Sequence, residues 1–238
     1  MSSGYKPNDT KAGCTLMVSC ELFTERVLKP FMVLDGTWGG KLMNEYNKRS
    51  SSVVVFNKKH WMDSNAFIVY LEMIRRTYSG KVLLVVDHFS GHYSEAVTTF
   101  LKEVNNDAQK LEVLMLPKGM TSVLQVGDVG VNALLKEKVR SRYRVMVSDF
   151  RREQSNKMFK LDQREFKIGR EKFIEMVENV FQDLNTKERG WLRKVFQKCG
   201  QDPVEVELCQ RAFETHLQNL KGGSGDTTYG KVAFDVED

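Results

Sequence analysis

Two aspartates stand where a chain can do phosphate chemistry. Asp87 ends the run KVLLVVDHFSGH, residues 81–92, and Asp128 lies in LPKGMTSVLQVGDVGV, residues 116–131. Each acid closes or follows an apolar run, the place where open α/β sheets put their ligand-binding groups. A pair of carboxylates delivered this way can hold a divalent cation against a phosphodiester. The plain structural alternative for Asp87 is that it caps the following helix, as Asp often does. Gly127 and Gly130 flank Asp128 with little bulk, which suits a metal and a phosphate approaching the backbone. His88 and His92 follow Asp87 within one turn and are placed to orient a phosphate or a water, with capping the competing role for His92. They are also the one His pair at i, i+4, but the Glu that accompanies such a pair in zinc hydrolases is missing, so a zinc site is disfavoured.

Positioning these residues requires strands and helices in alternation. Val82 to Val86 is five aliphatic residues in a row, too short for a helix and rich in β-branching, and reads as a buried central strand. Cys14 to Cys20, Pro30 to Leu34, Val53 to Phe56 and Val113 to Leu116 read as further strands. Asp63 or Ser64 can cap a helix whose Phe67, Tyr70, Leu71 and Ile74 recur at i, i+3, i+4 and i+7, with Gly80 as its stop. Ala96 to Val104 reads as a crossover helix, and the alternation predicts a mixed sheet with helices on its faces.

Beyond Asp128 a long helix is predicted, with Val131, Leu135, Val139, Met146 and Phe150 on one side. Lys136, Arg140 and Arg144 follow i, i+4 spacing on another, and Lys138 and Arg142 broaden the positive face. Such a stripe is either an ordinary solvated face or, beside a phosphodiester-handling acid pair, a surface for a nucleic-acid backbone. Residues 151–169 are charged and poorly periodic, which predicts a linker. Phe173, Met176, Val177, Val180, Phe181 and Leu184 make an amphipathic helix, and Asn185 with Glu188 can open the next as a capping box.

Composition narrows the class. The 238 residues suffice for one sizeable core with an appendage, and a net charge of +5 is compatible with nucleic acid without demanding it. Cysteines 14, 20, 199 and 209 form no CxxC pair, so a zinc knuckle or a disulfide framework is not indicated. No run of eighteen apolar residues occurs and the opening residues are polar, so a reduced, intracellular, soluble protein with no membrane partner is expected.

The two motifs together resemble the core of the DDE-type transposase or endonuclease domain of the pogo, Tigger and Jerky group, to which centromere protein B is also similar. Asp87, Ser90 and His92 match the first motif of that group; Leu116, Pro117, Thr121, Ser122, Leu124, Gln125, Asp128, Gly130 and Val131 match the second. Trp61, Trp191, Phe196, Cys199 and Gly200 resemble further landmarks, so the likeness covers roughly residues 10–200. There are departures. His88 stands where the group has Asn, and Val126-Gly127 where it has Pro-Leu. The group's first aspartate lies on a strand well before Cys14, where only Asp9 is found, too close and in a turn-like context.

The resemblance implies a ribonuclease H-like mixed sheet flanked by helices, lacking its first strand, over residues 10–150. A charged linker at 151–169, a C-terminal helical segment at 170–220 and a flexible acidic tail at 221–238 are expected to follow. It implies metal-dependent DNA strand cleavage and transfer as the family reaction, with Asp87 and Asp128 as catalytic, metal-holding residues for Mg²⁺ or Mn²⁺, supported by His88 and His92. DNA is the implied partner, met by Lys136, Lys138, Arg140, Arg142 and Arg144. A homodimer, a nuclear location and no small-molecule cofactor are further implications. Without the first Asp, catalysis is expected to be impaired. Two alternatives stand beside this reading: a non-catalytic DNA-binding or protein-interaction protein of the same fold, and a nuclease completing its site with Asp35.

Overall fold

The structure, a computed structural model, describes residues 14–106, 110–156, 166–186, 190–222 and 236–237. Strands β1 (Cys14–Met17), β4 (Phe31–Asp35) and β5 (Val53–Asn57) form one sheet in the order β1-β4-β5, with β1 antiparallel to β4 and β4 parallel to β5. Between β1 and β4 the chain makes a two-residue ribbon, β2 (Cys20–Glu21) on β3 (Arg26–Val27). A second, parallel pair is β6 (Val82–Val86) with β7 (Leu111–Met115). The fold is thus mixed α/β, as the alternation predicted.

Side-chain alternation along the strands sends residues to two cores on opposite faces. Met32, Leu34, Val54 and Phe56 point into one, and Phe31, Val33 and Val55 into the other. The second core is closed by α2 (Ser64–Thr77), which buries Ala66, Phe67, Tyr70, Leu71, Met73 and Ile74. Asp63 caps that helix, its Oδ1 accepting from the Ala66 amide at 2.8 Å, one of the two caps predicted. Tyr70 is wholly buried, and its hydroxyl meets Ser19 Oγ at 2.7 Å, so the ring's burial leaves no orphan polar group. Helix α1 (Lys41–Arg49), between β4 and β5, buries none of its residues. The crossover helix is α3 (Glu95–Val104), capped by Ser94.

The first core is closed by α5 (Asn132–Asn156), α6 (Arg170–Asn185) and α7 (Trp191–Lys198), which contribute Val139, Phe173, Val177, Val180, Leu184 and Leu192 to it. Thus α6 and α7 share one core with β4 and β5. The helix α5 runs to Asn156, past the start of the expected 151–169 linker, and residues 157–165 lie outside the described ones. Phe166 packs on Tyr143 and Phe150 of α5, with ring centroids 5.6 and 5.4 Å apart. Glu188 of the expected capping box also lies outside the described residues. Asn185 has another role, since its amide oxygen accepts from the Val27 amide at 2.8 Å and its amide nitrogen donates to the Val27 carbonyl at 2.9 Å, pinning α6 to β3. Gly190 caps α7 with φ of 89°. Of the expected 221–238 tail, Lys221 and Gly222 end the helix Val206–Gly222, and beyond them only β9 (Val236–Glu237), paired with β8 (Ile168–Gly169), is described. No helix among the described residues is long and apolar enough to cross a membrane.

One expectation needs correcting. The aliphatic run of β6 predicts a strand buried on both faces, but only Val86 is fully buried and Leu83 is 60% exposed. Val82, Leu84 and Val86 pack with α2 into the second core, whereas Leu83 and Val85, with Leu114 of β7, face an open cleft of about 1560 Å³. The edge of β6 away from β7 pairs with no strand among the described residues, nor does the edge of β1 away from β4, and both strands line this cleft.

The four cysteines are free. Burial pushes the thiols of Cys14, Cys20 and Cys199 up to about 12, so none is a ready nucleophile.

Candidate active site

Asp87 is the residue immediately after β6, where the strand's last carbonyls meet the loop, and it lines the cleft. His92 reaches back to it. Nδ1 of His92 lies 3.1 Å from Asp87 Oδ1 and 3.3 Å from the Asp87 backbone carbonyl. The imidazole is buried, 4.2 Å from the Phe67 ring centroid and 5.4 Å from that of Phe89, so its orientation is fixed by packing. This arrangement orients the carboxylate rather than capping a helix, because the helix that follows, α3, is capped by Ser94 instead. His88 is turned elsewhere and stacks on Tyr93, with centroids 4.9 Å apart and planes 12° apart.

Gly91 is what lets this loop close. A methyl group there would come within 2.9 Å of the Phe89 ring and 3.4 Å of the Met62 carbonyl. The loop carrying Asp87 therefore rests on the segment that joins β5 to α2.

Asp128 sits in a π-helical turn, Gly127–Val131, that runs straight into α5, preceded by the short helix α4 (Thr121–Leu124). Its Oδ1 accepts from the Asn132 side-chain amide at 2.8 Å. Gly127 and Asn132 line the same cleft as Asp87, but Asp128 itself does not. Asn132 was not singled out from sequence, although its i, i+4 relation to Asp128 is the spacing at which such a side-chain bond forms.

The glycines beside Asp128 serve packing. A methyl group on Gly130 would lie 2.7 Å from Val195 Cγ2 and 2.9 Å from Cγ1, so Gly130 is where α7 presses on the turn. At Gly127 it would meet the Asn132 side chain at 3.3 Å. Gly130→Ala is accordingly expected to destabilise the fold by roughly 1–3 kcal/mol through overpacking, read as a lower midpoint in urea unfolding. An unchanged midpoint would mean that α7 does not press there.

Asp35 ends the middle strand β4 opposite Asn57, is exposed, and is not among the residues lining the cleft with Asp87. Among the described residues no three His, Cys, Asp or Glu side chains are gathered closely enough to hold a metal ion. Asp87 lines the cleft, whereas Asp128, like Asp35, is not itself among its lining residues, and two carboxylates do not by themselves meet the needs of a two-ion clamp.

The basic stripe divides in two. Arg142 donates to Asp183 Oδ2 of α6 at 2.7 Å, and Lys138 lies 4.0 Å from the same oxygen, so these two tie α5 to α6. Lys136 is half-buried, and Arg140 and Arg144 are exposed.

The family model described as DDE superfamily endonuclease matches residues 11–191. The chain belongs to this family. The match takes in every element from β1 to α6, and so both acids and their supporting His92 and Asn132. Among curated proteins the chain is 29% identical over 144 residues to the human "Pogo transposable element with KRAB domain" and 28% identical over 144 residues to its mouse counterpart. Each match takes in 58% of this chain and 22% of the relative, so the chain corresponds to a minor part of those proteins. No solved structure matches.

Proposed function

We propose that the chain is a transposase-derived DNA-binding domain with a ribonuclease H-like arrangement, in which Asp87 and Asp128 are what remains of a metal-dependent strand-cleaving site. The observation that carries the reading is the continuity of Asp128 with α5: the turn bearing the acid becomes the helix that displays Arg140 and Arg144. At 1.5 Å per residue the two arginines lie about 6 Å apart along the helix and about 18 Å or more beyond the acid, a spacing suited to a backbone running past the site. The cleft between β1 and β6 supports a sheet with one strand position unfilled.

In this reading Asp87, held by His92, and Asp128, held by Asn132, would be the ligands of Mg²⁺ or Mn²⁺. When bound, the ion supplies charge neutralisation at a phosphate. The chain's own part is to orient: His92 fixes the Asp87 carboxylate against the strand end, and Asn132 does the same for Asp128. Two carboxylates alone fall short of a two-ion clamp, and the role proposed is therefore binding rather than catalysis. A nuclear setting accords with such a role.

The test is duplex DNA binding followed by fluorescence anisotropy across a salt series. A linear fall of log affinity with log salt is expected, with a slope of about −2 or steeper for the two or more phosphates contacted. Affinity that is absent at low salt, or insensitive to salt, would overturn the reading.

A further inference from the structure

The strongest unexplained feature beside Asp87 is an exposed, rigidly held tryptophan. Trp61 is 60% exposed, although indole is among the costliest side chains to leave in water. It is not on a loose loop. Asn57 Oδ1 accepts from the amides of Lys59 and Trp61 at 3.1 and 3.2 Å, while Asn57 Nδ2 donates to the Trp61 carbonyl at 2.5 Å and to Asp63 Oδ2 at 3.2 Å. His60, inside this bracket, is held in the left-handed region with φ of 46°. The next residue, Met62, is the one on which Gly91 of the Asp87 loop rests.

Trp61, Phe89 and Asp87 all line the cleft, and Lys58 and Lys59 are exposed on the same turn. A preorganised aromatic face with adjacent cations is the combination that binds unpaired nucleotides, the ring stacking on a base while the lysines meet the backbone. Duplex DNA keeps its bases stacked on each other and has no use for such a ring.

Resting on the DNA reading above, we infer that Trp61 is a stacking platform for an unpaired base, and that the Asp87 end of the cleft takes single-stranded or locally opened DNA. Lys58 and Lys59 hold the strand's phosphates, and Phe89 forms the second wall. This identifies a substrate form, unpaired DNA, and assigns specificity to a turn that carries none of the acids.

The experiment compares the full chain with Trp61→Ala, Trp61→Phe and, as a matched exposed control, Trp38→Ala. It uses a single-stranded oligonucleotide containing 2-aminopurine and a duplex of equal length. Trp61→Ala is expected to lower single-strand affinity about tenfold or more and to abolish the 2-aminopurine signal change. Trp61→Phe restores part of both, while duplex affinity and the Trp38→Ala protein are unchanged. Unaltered single-strand affinity in Trp61→Ala, with duplex binding intact, would overturn the platform and leave the DNA reading standing. An equal loss on both DNA forms would overturn it too, as a general effect on the surface. Failure of the unsubstituted chain to bind either form would bring down the DNA reading itself.

Discussion

Replacing Arg140 and Arg144 together with Glu is expected to weaken duplex binding by about a hundredfold at low salt and to make the salt slope shallower by about two. Both side chains are exposed on α5, so the substitution should leave the unfolding midpoint nearly unchanged. The matched reversal of Arg142 behaves differently. It removes the donor to Asp183 and sets two acids against each other, so its effect is on stability, with a lower unfolding midpoint. If the Arg140/Arg144 double variant binds duplex DNA as well as the original chain, α5 is an ordinary solvated face and the nucleic-acid surface lies elsewhere.

The largest stability effect is expected at Asp202, between α7 and α8 (Val206–Gly222). Its side chain is fully buried and receives Arg193 Nε at 2.8 Å, Gln197 Nε2 at 3.2 Å and the amides of Val204 and Glu205 at 3.1 and 3.4 Å. The Arg193 bond above all holds its carboxyl down at about 2, against the cost of burial. A carboxyl whose pKa falls on folding stabilises the folded state above its unfolded value and loses that contribution as pH drops through the folded one. The contribution, roughly 2 kcal/mol by that linkage, is therefore complete above about pH 4 and is lost towards pH 2. Asp202→Ala also takes from Arg193 its near carboxylate, leaving Glu205 at 4.0 Å, and from two backbone amides their acceptor, so a total loss of about 3 kcal/mol at pH 7 is expected. Urea unfolding at pH 7 and pH 3 reads both effects: the difference between variant and original should shrink at the lower pH. Glu72, held down to about 2 by Arg75 and Arg76, titrates in the same window, so the original chain weakens there for two reasons and the variant for one.

What was legible in the residues had a local cause. The α2 cap at Asp63, the parallel strands before and after α3, and the buried stripe of α6 follow from side-chain period and capping chemistry that act within a few residues. The two acids at strand and turn were legible for the same reason. The exposure of Leu83 was not, because an aliphatic run says only that a strand can be buried; whether a neighbour covers it is a long-range fact. The ribbon β2/β3 left no signal, since two-residue strands are too short to show a period. The roles of Gly130 and Asn185 are set by Val195 and Val27, residues 65 and 158 positions away in the chain. The split of the basic stripe depended on Asp183, contributed by a different helix.

Whether the chain binds DNA without cutting it is decided by incubating the purified chain with labelled duplex DNA in Mg²⁺ or Mn²⁺, beside Asp87→Ala. Salt-sensitive binding by both proteins is expected, with no nicking that depends on Asp87. Metal-dependent nicking by the original chain that disappears in Asp87→Ala would contradict that expectation, because a complete catalytic set would then have to form around this aspartate.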